Sequence, residues 1–114
     1  MAEITTEKID DIHLISVKGE IDAGSSIYLD DALKSAMEQG EKKIIADLSG
    51  LDYISSAGLG VFISHLDEFK LKEIQLTLFG INETVKQVFD ILGLEKLLTI
   101  VENKEAAIST FDDK

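Results

Sequence analysis

The sequence predicts an α/β fold, a mixed and mostly parallel β-sheet that opens with an antiparallel hairpin and has about four helices packed on it. Two observations predict it. β-prone segments alternate with segments whose apolar residues recur at helical spacing, and their order along the chain is β-β-α-β-α-β-α-β-α. The extended segment Ile12-His13-Leu14-Ile15-Ser16-Val17 is apolar on both faces, which suits a central strand covered on both sides.

Ile4 to Ile9 is β-prone but polar, and Asp10-Asp11 supplies a turn, so this segment reads as the first arm of a hairpin with the Ile12 strand. Leu29, Ala32, Leu33, Ala36 and Met37 follow the i, i+3, i+4, i+7, i+8 pattern of an amphipathic helix. Ser25 or Ser26 is placed to cap that helix, Asp30 and Asp31 to complement its dipole, and Gly40 to close it. Lys43 to Leu48 is a short apolar run of buried-strand type, and Leu59, Phe62, Ile63, Leu66 and Phe69 form the next helical stripe. Ile74, Leu76 and Leu78 alternate with Gln75 and Thr77, the pattern of a half-buried strand. A third helix has Asn82 as cap, Val85, Val88, Phe89 and Leu92 as its buried stripe and Gly93 as its stop. Leu98 to Val101 is a final strand. Asn103 caps a last helix through Ala106, Ala107, Ile108 and Phe111, short enough to depend on tertiary packing.

A chain of 114 residues with 45% apolar content fits one domain, residues 1–114. Cysteine is absent, which excludes disulfides and any thiol nucleophile. The run Met1 to Glu7 has neither the basic nor the apolar region of a signal peptide, and no apolar run approaches the roughly 20 residues of a bilayer span. A soluble, cytoplasmic protein is expected. A net charge of −11, from 22 acidic and 11 basic residues, disfavours nucleic acid and anionic membranes as direct partners. Asp30-Asp31, Asp67-Glu68 and Asp112-Asp113 each read as solubilising clusters, while the summed charge suits steering toward a basic partner patch.

The junction between the Lys43 strand and the Leu59 helix holds the candidate chemistry, Ser55-Ser56-Ala57-Gly58. At a helix start the first N–H groups lack intrahelical partners and the dipole favours negative charge, so a serine there can cap the helix and a phosphate on it is well accommodated. One cap suffices, which leaves the second hydroxyl free. A hydrolase built on Ser56, His65 and Asp67 fails on geometry, because His65 lies roughly 13 Å further along the same helix. His13, on a two-sided strand, reads as an ordinary packed or edge histidine. With two histidines, no cysteine and no His–carboxylate pair at ligand spacing, neither a transition-metal site nor any cofactor is expected. Gly58-Leu59-Gly60 lacks the third glycine of a dinucleotide fingerprint, Ile63 standing in its place. Small Ala57 and Gly58 are read instead as allowing close approach to a neighbouring strand. A phosphorelay receiver would need an acidic pair after its first parallel strand and a lysine after its last, and this chain offers no such set.

The run Leu48 to Val61 resembles the signature of STAS domains, the family of anti-sigma factor antagonists and sulphate-transporter tails. Val17-Lys18-Gly19-Glu20-Ile21-Asp22, Gly80-Ile81-Asn82 and Val85 to Leu94 resemble three further stretches of that family, so the similarity covers nearly the whole chain. The resemblance implies a non-enzymatic, bacterial switch protein. Its unphosphorylated form binds an anti-sigma factor serine kinase and frees the sigma factor, and a serine phosphatase reverses the modification. It places the phosphoacceptor at Ser56, with Ser55 as a competing acceptor, and implicates Asp22, Ser55, Ser56, Ala57 and Gly58 in partner binding; the family counterpart of Asp22 lies near the acceptor, and Asp22 can equally serve to end its strand and cap a turn. Ser55 stands where the family's usual aspartate precedes the acceptor, and Ala57 where a second Ser or Thr is usual. Two alternatives accompany it: a constitutive STAS subunit of a larger assembly, such as a lipid-transport ATPase complex or signalling scaffold, and a small-nucleotide-binding module.

Overall fold

The computed structural model describes residues 2–111, so the Asp112-Asp113 cluster lies outside the described residues. Strands β1 (Ala2–Ile9), β2 (Ile12–Ile21), β3 (Lys43–Ile54), β4 (Gln75–Phe79) and β5 (Thr99–Val101) form one sheet in the order β1-β2-β3-β4-β5. β1 and β2 are antiparallel and the other neighbours are parallel. Helices α1 (Ser26–Glu38), α2 (Ser56–Leu71), α3 (Glu83–Ile91) and α4 (Lys104–Ser109) supply the crossovers and the last segment. The α/β class and the hairpin opening therefore stand as expected. The hairpin turns tightly because Asp10 adopts φ 53°, and Asp11 is held by Lys43 at 2.9 Å.

One face of the sheet carries the larger core, where Ile15, Val17, Ile44, Ala46 and Leu78 meet Leu33, Phe62 and Phe89 of α1, α2 and α3. The other face holds Ile12, Leu14, Ile45 and Phe79 under Ala107 of α4 and the following Phe111. β2 is buried on both faces over Ile12 to Ile15, as its apolar run predicts, but it lies one strand in from the edge and β3 occupies the centre. β4 departs from expectation. Its alternation predicts one solvated face, yet Thr77 is only 2% exposed, because α4 lies over it and the Thr77 and Thr110 hydroxyls bond to each other at 2.9 Å. A threonine can sit in a buried face when its one polar atom is satisfied.

α1 begins where predicted, but neither serine caps it: Ser25 occupies the cap position with its hydroxyl turned back toward Asp22 and the Glu20 carbonyl, and Ser26 donates to the Ala23 carbonyl. Asp30 and Asp31 fall beyond the first turn, too far along to meet the helix dipole, and Asp30 instead pairs with His65 on α2. α3 and α4 take the caps read from the sequence, with Asn82 Oδ1 accepting from the Val85 N–H and Asn103 Oδ1 from the Ala106 N–H, both at 2.8 Å. Gly93, at φ 71°, ends the α3 segment as expected, and a single 3-10 turn over Leu94–Lys96, unforeseen, follows it.

The longest departure is in β3. Its predicted apolar run ends near Leu48, but the strand continues to Ile54. β4 accompanies it only as far as the Asp47–Phe79 pair, while β2 continues alongside to the Ile21–Ile54 pair, with register irregularities between Ser16 and Lys18 and between Gly19 and Glu20 absorbing the extra residues. The last turn of sequence before α2 is thus a strand overhang supported by a ladder on one side.

Two histidines are buried. His13 lies 3.7 Å from Glu41, whose other oxygen holds Lys8 at 2.6 Å. Burial pushes the His13 pKa below its ordinary 6.5, against the opposing pull of Glu41. The folded state thus resists protonation more than the unfolded state, and stability falls as pH drops below 6.5. Thermal unfolding of wild type and His13→Gln across that range should show the melting temperature of wild type declining more steeply, with parallel curves contradicting the assignment.

Candidate functional site

The β3 overhang delivers the chain to the start of α2, and local geometry separates the two serines. Ser55 is the N-cap, with extended backbone (φ −82°, ψ 171°) and a hydroxyl that accepts the Gly58 N–H at 3.3 Å. Ser56 is the first helical residue. It is exposed, and its hydroxyl enters no hydrogen bond among the described residues. Of the two roles left open by the sequence, capping goes to Ser55 and the free hydroxyl to Ser56.

Gly58 makes this arrangement possible. A Cβ there would fall 2.6 Å from Ile21 Cγ2 and 2.7 Å from Ile54 Cγ1, inside any real contact distance and against buried side chains. Gly58 alone accounts for the close approach, since Ala57 beside it is exposed. Gly60, two residues further along the helix, faces open space.

Asp22 is brought beside the serines by the strand ladder. Ile21 pairs with Ile54, and the Ser55 N–H donates to the Ile21 carbonyl at 2.8 Å, so the turn that follows β2 lies next to the start of α2. Asp22 is exposed, but its carboxylate is engaged: Oδ1 accepts from both the N–H and the hydroxyl of Ser25, each at 2.9 Å, and the Asp22 N–H donates to Ser25 Oγ at 2.9 Å. The Ser25 backbone bond, and then its hydroxyl, hold the Asp22 pKa below the ordinary 3.8. Asp22 thus caps the turn that ends β2, as the sequence allows, and the sequence signal for its partner is a carboxylate and a hydroxyl three positions apart at a helix start. Exposed Ile27 and Tyr28 on the first turn of α1, Tyr53 on the overhang and Ile63 on α2 flank these residues along the chain.

The histidines stay out of this cluster. His65 is on the buried side of α2, 6% exposed, with Nε2 2.7 Å from Asp30 Oδ1 and its ring stacked on Phe69 at 5.5 Å between centroids. Asp67 points to solvent. Two His–carboxylate pairs form across the fold between residues far apart in sequence, His65–Asp30 and His13–Glu41. The first ties α2 to α1 and reaches neither serine. Among the described residues no group of three or more His, Cys, Asp or Glu side chains could hold a metal ion, and no helix is long and apolar enough to cross a membrane. A concavity of about 540 Å³ opens between the later part of α2, the start of β4 and α4, lined by Leu66, Phe69, Ile74, Leu98 and Thr110, and none of the serine cluster lines it.

The chain matches the STAS domain over residues 3–107 and belongs to that family. The anti-sigma-B factor antagonist of Staphylococcus epidermidis is 29% identical over 102 residues, spanning 90% of this chain and 94% of that one. Among solved structures, an anti-sigma factor antagonist from Mycobacterium paratuberculosis superposes with a TM-score of 0.90 at 18% identity, covering 99% of this chain and 96% of that one. The Bacillus cell fate determinant SpoIIAA in its phosphorylated form superposes with a TM-score of 0.73 at 21% identity, covering 96% and 100%.

Two expectations follow from the geometry. Gly58→Ala should lose about 1–3 kcal/mol by overpacking against Ile21 and Ile54, whereas Gly60→Ala should gain about 1 kcal/mol from helix propensity; denaturant unfolding of both variants checks the contrast. Asp22→Asn should destabilise the protein at neutral pH, and the difference should vanish as pH falls below 3.8 through the depressed folded-state value, since the lost contribution exists only while the carboxylate is ionised.

Proposed function

We propose that the chain is an anti-sigma factor antagonist whose unphosphorylated form binds an anti-sigma factor serine kinase and so releases a sigma factor. Ser56 is the phosphoacceptor, and a serine phosphatase restores the binding form. The observation that carries this reading is the division between the serines: Ser55 is occupied as the cap, while Ser56 offers an exposed, unengaged hydroxyl at the first position of a 16-residue helix. The name of the Staphylococcus relative and the existence of a phosphorylated form of the structurally similar SpoIIAA support it.

The physical mechanism is electrostatic. A phosphate on Ser56 adds about −1.5 to −2 charges at a helix N-terminus, where the dipole and the first N–H groups stabilise them, so the fold tolerates the modification. A partner surface packed over Ser56, Ala57 and the Asp22 turn must then desolvate that charge beside an existing carboxylate, at a cost no apolar contact offsets. The chain supplies the hydroxyl and the recognition surface, and the kinase supplies the catalytic groups. The serine at position 55 leaves the acceptor with no carboxylate immediately before it, so the kinase reads Ser56 mainly through the shape of the helix start and through Asp22.

Protein recovered from its own cells, with its partners, decides the matter. Ser56→Ala should stay folded and keep its kinase partner, and Ser56→Asp should bind much more weakly. Ser55→Ala should lose about 1 kcal/mol of stability with its cap and still carry phosphate at Ser56, as shown by intact mass and peptide fragmentation. Equal binding by wild type and Ser56→Asp, or phosphate located away from both serines, would overturn the proposal. A stoichiometric complex with no phosphorylated pool would identify a constitutive subunit instead, and heat released on titrating ATP or GTP a nucleotide-binding module.

A further inference from the structure

The β3 overhang that carries the serines has a full ladder on its β2 side and loses its strand neighbour on the β4 side after the Asp47–Phe79 pair. The chain leaving β4 compensates. Gly80 turns at φ 82°, and a Cβ there would fall 2.9 Å from Ser49 Cβ and 3.0 Å from its Cα and N, so only glycine lets this backbone lie against the overhang. That contact seats Asn82 beneath Leu51. Its Oδ1 caps α3 through the Val85 N–H at 2.8 Å, and its Nδ2 donates to the Leu51 carbonyl at 3.0 Å. The side chain takes the place of the missing strand, four residues before Ser55. No other side-chain hydrogen bond among the described residues reaches the backbone of the overhang from Gly50 to Ile54. The pairing needs an acceptor and a donor on one short side chain, a requirement that an amide meets and that aspartate and serine, equally good caps, do not meet in the same way.

We propose that Asn82 is a positioning residue for the phosphoacceptor turn, holding the β3 overhang so that Ser55 reaches its capping position and Ser56 presents its hydroxyl. Its importance for phosphorylation rests on the reading of Ser56 given above. The capping of α3 and the placement of Ser56 thereby share one side chain, and a substitution that preserves the first while removing the second separates them.

Asn82→Asp and Asn82→Ser do this. Both keep an oxygen for the Val85 N–H. Aspartate offers no donor to the Leu51 carbonyl, and the serine hydroxyl is too short to reach it while capping. Amide hydrogen exchange on the intact, unphosphorylated chain gives the readout. In both variants the Ser55 and Gly58 N–H groups, bonded to the Ile21 carbonyl and to Ser55 Oγ, should exchange about tenfold faster, the loss expected of one tie to the local opening equilibrium. The Lys86 N–H inside α3 should keep its wild-type rate, and the fraction of chain phosphorylated at Ser56 in its own cells should fall. Unchanged exchange at Ser55 and Gly58, or equal acceleration at Lys86, would overturn the proposal by showing that Asn82 serves α3 alone or the fold as a whole. Exchange is measured without phosphate, so its failure is distinct from that of the phosphoacceptor assignment, which is read by mass in wild type.

Discussion

The close seating of the α2 N-terminus on the ends of β2 and β3 is the constraint from which the rest of the site follows. Gly58 has no Cβ to meet Ile21 and Ile54, so the helix axis starts within contact of the sheet. The backbone must then leave β3 in an extended conformation at Ser55 and enter the helix at Ser56, which fixes the first hydroxyl over the orphan Gly58 N–H and turns the second to solvent. The same seating gives the Ser55 N–H the Ile21 carbonyl, and Ile21 is followed directly by Asp22. One missing methyl group thus sets the cap, the free hydroxyl and the neighbouring carboxylate.

The buried titratable groups of the fold are committed to one another away from the serines. Each buried histidine is committed to a carboxylate elsewhere in the fold, His65 to Asp30 between α1 and α2, His13 to Glu41 beside the hairpin. A general base would have to stand within about 3 Å of the Ser56 hydroxyl, and both histidines serve packing instead. Asp22, beside the serines, orders the Ser25 turn through its Oδ1.

Much of the fold was legible because its signals are local. The two-residue Asp10-Asp11 turn, the caps at Asn82 and Asn103, the stop at Gly93 and the helical stripes of α1 to α3 depend on residues within a turn or two of each other. The misreadings share the opposite property. Alternation places Thr77 on a solvated face, but Thr110 at the end of α4, 33 positions on, meets its hydroxyl there. The continuation of β3 past Leu48 is invisible in Ser49-Gly50, because its cause is the length of β2. Proximity in sequence puts Asp30 and Asp31 at a helix dipole, but helix entry occurs one turn too early for them, and Asp30 finds its partner 35 positions on.

For the site itself, the sequence determined that a strand hands over to a helix at Ser55-Ser56, that small residues follow, and that one hydroxyl exceeds what capping needs. These conclusions rest on residue size, helix-end chemistry and resemblance, all readable along one dimension. Tertiary structure alone decided which serine caps, that the Asp22 carboxylate is held by Ser25, and that the Asn82 amide reaches Leu51 as well as its own helix. The reason is physical: a hydroxyl, a carboxylate and an amide each have several possible hydrogen-bond partners nearby in sequence, and only the packing of distant strands determines which partner is within 3 Å or so.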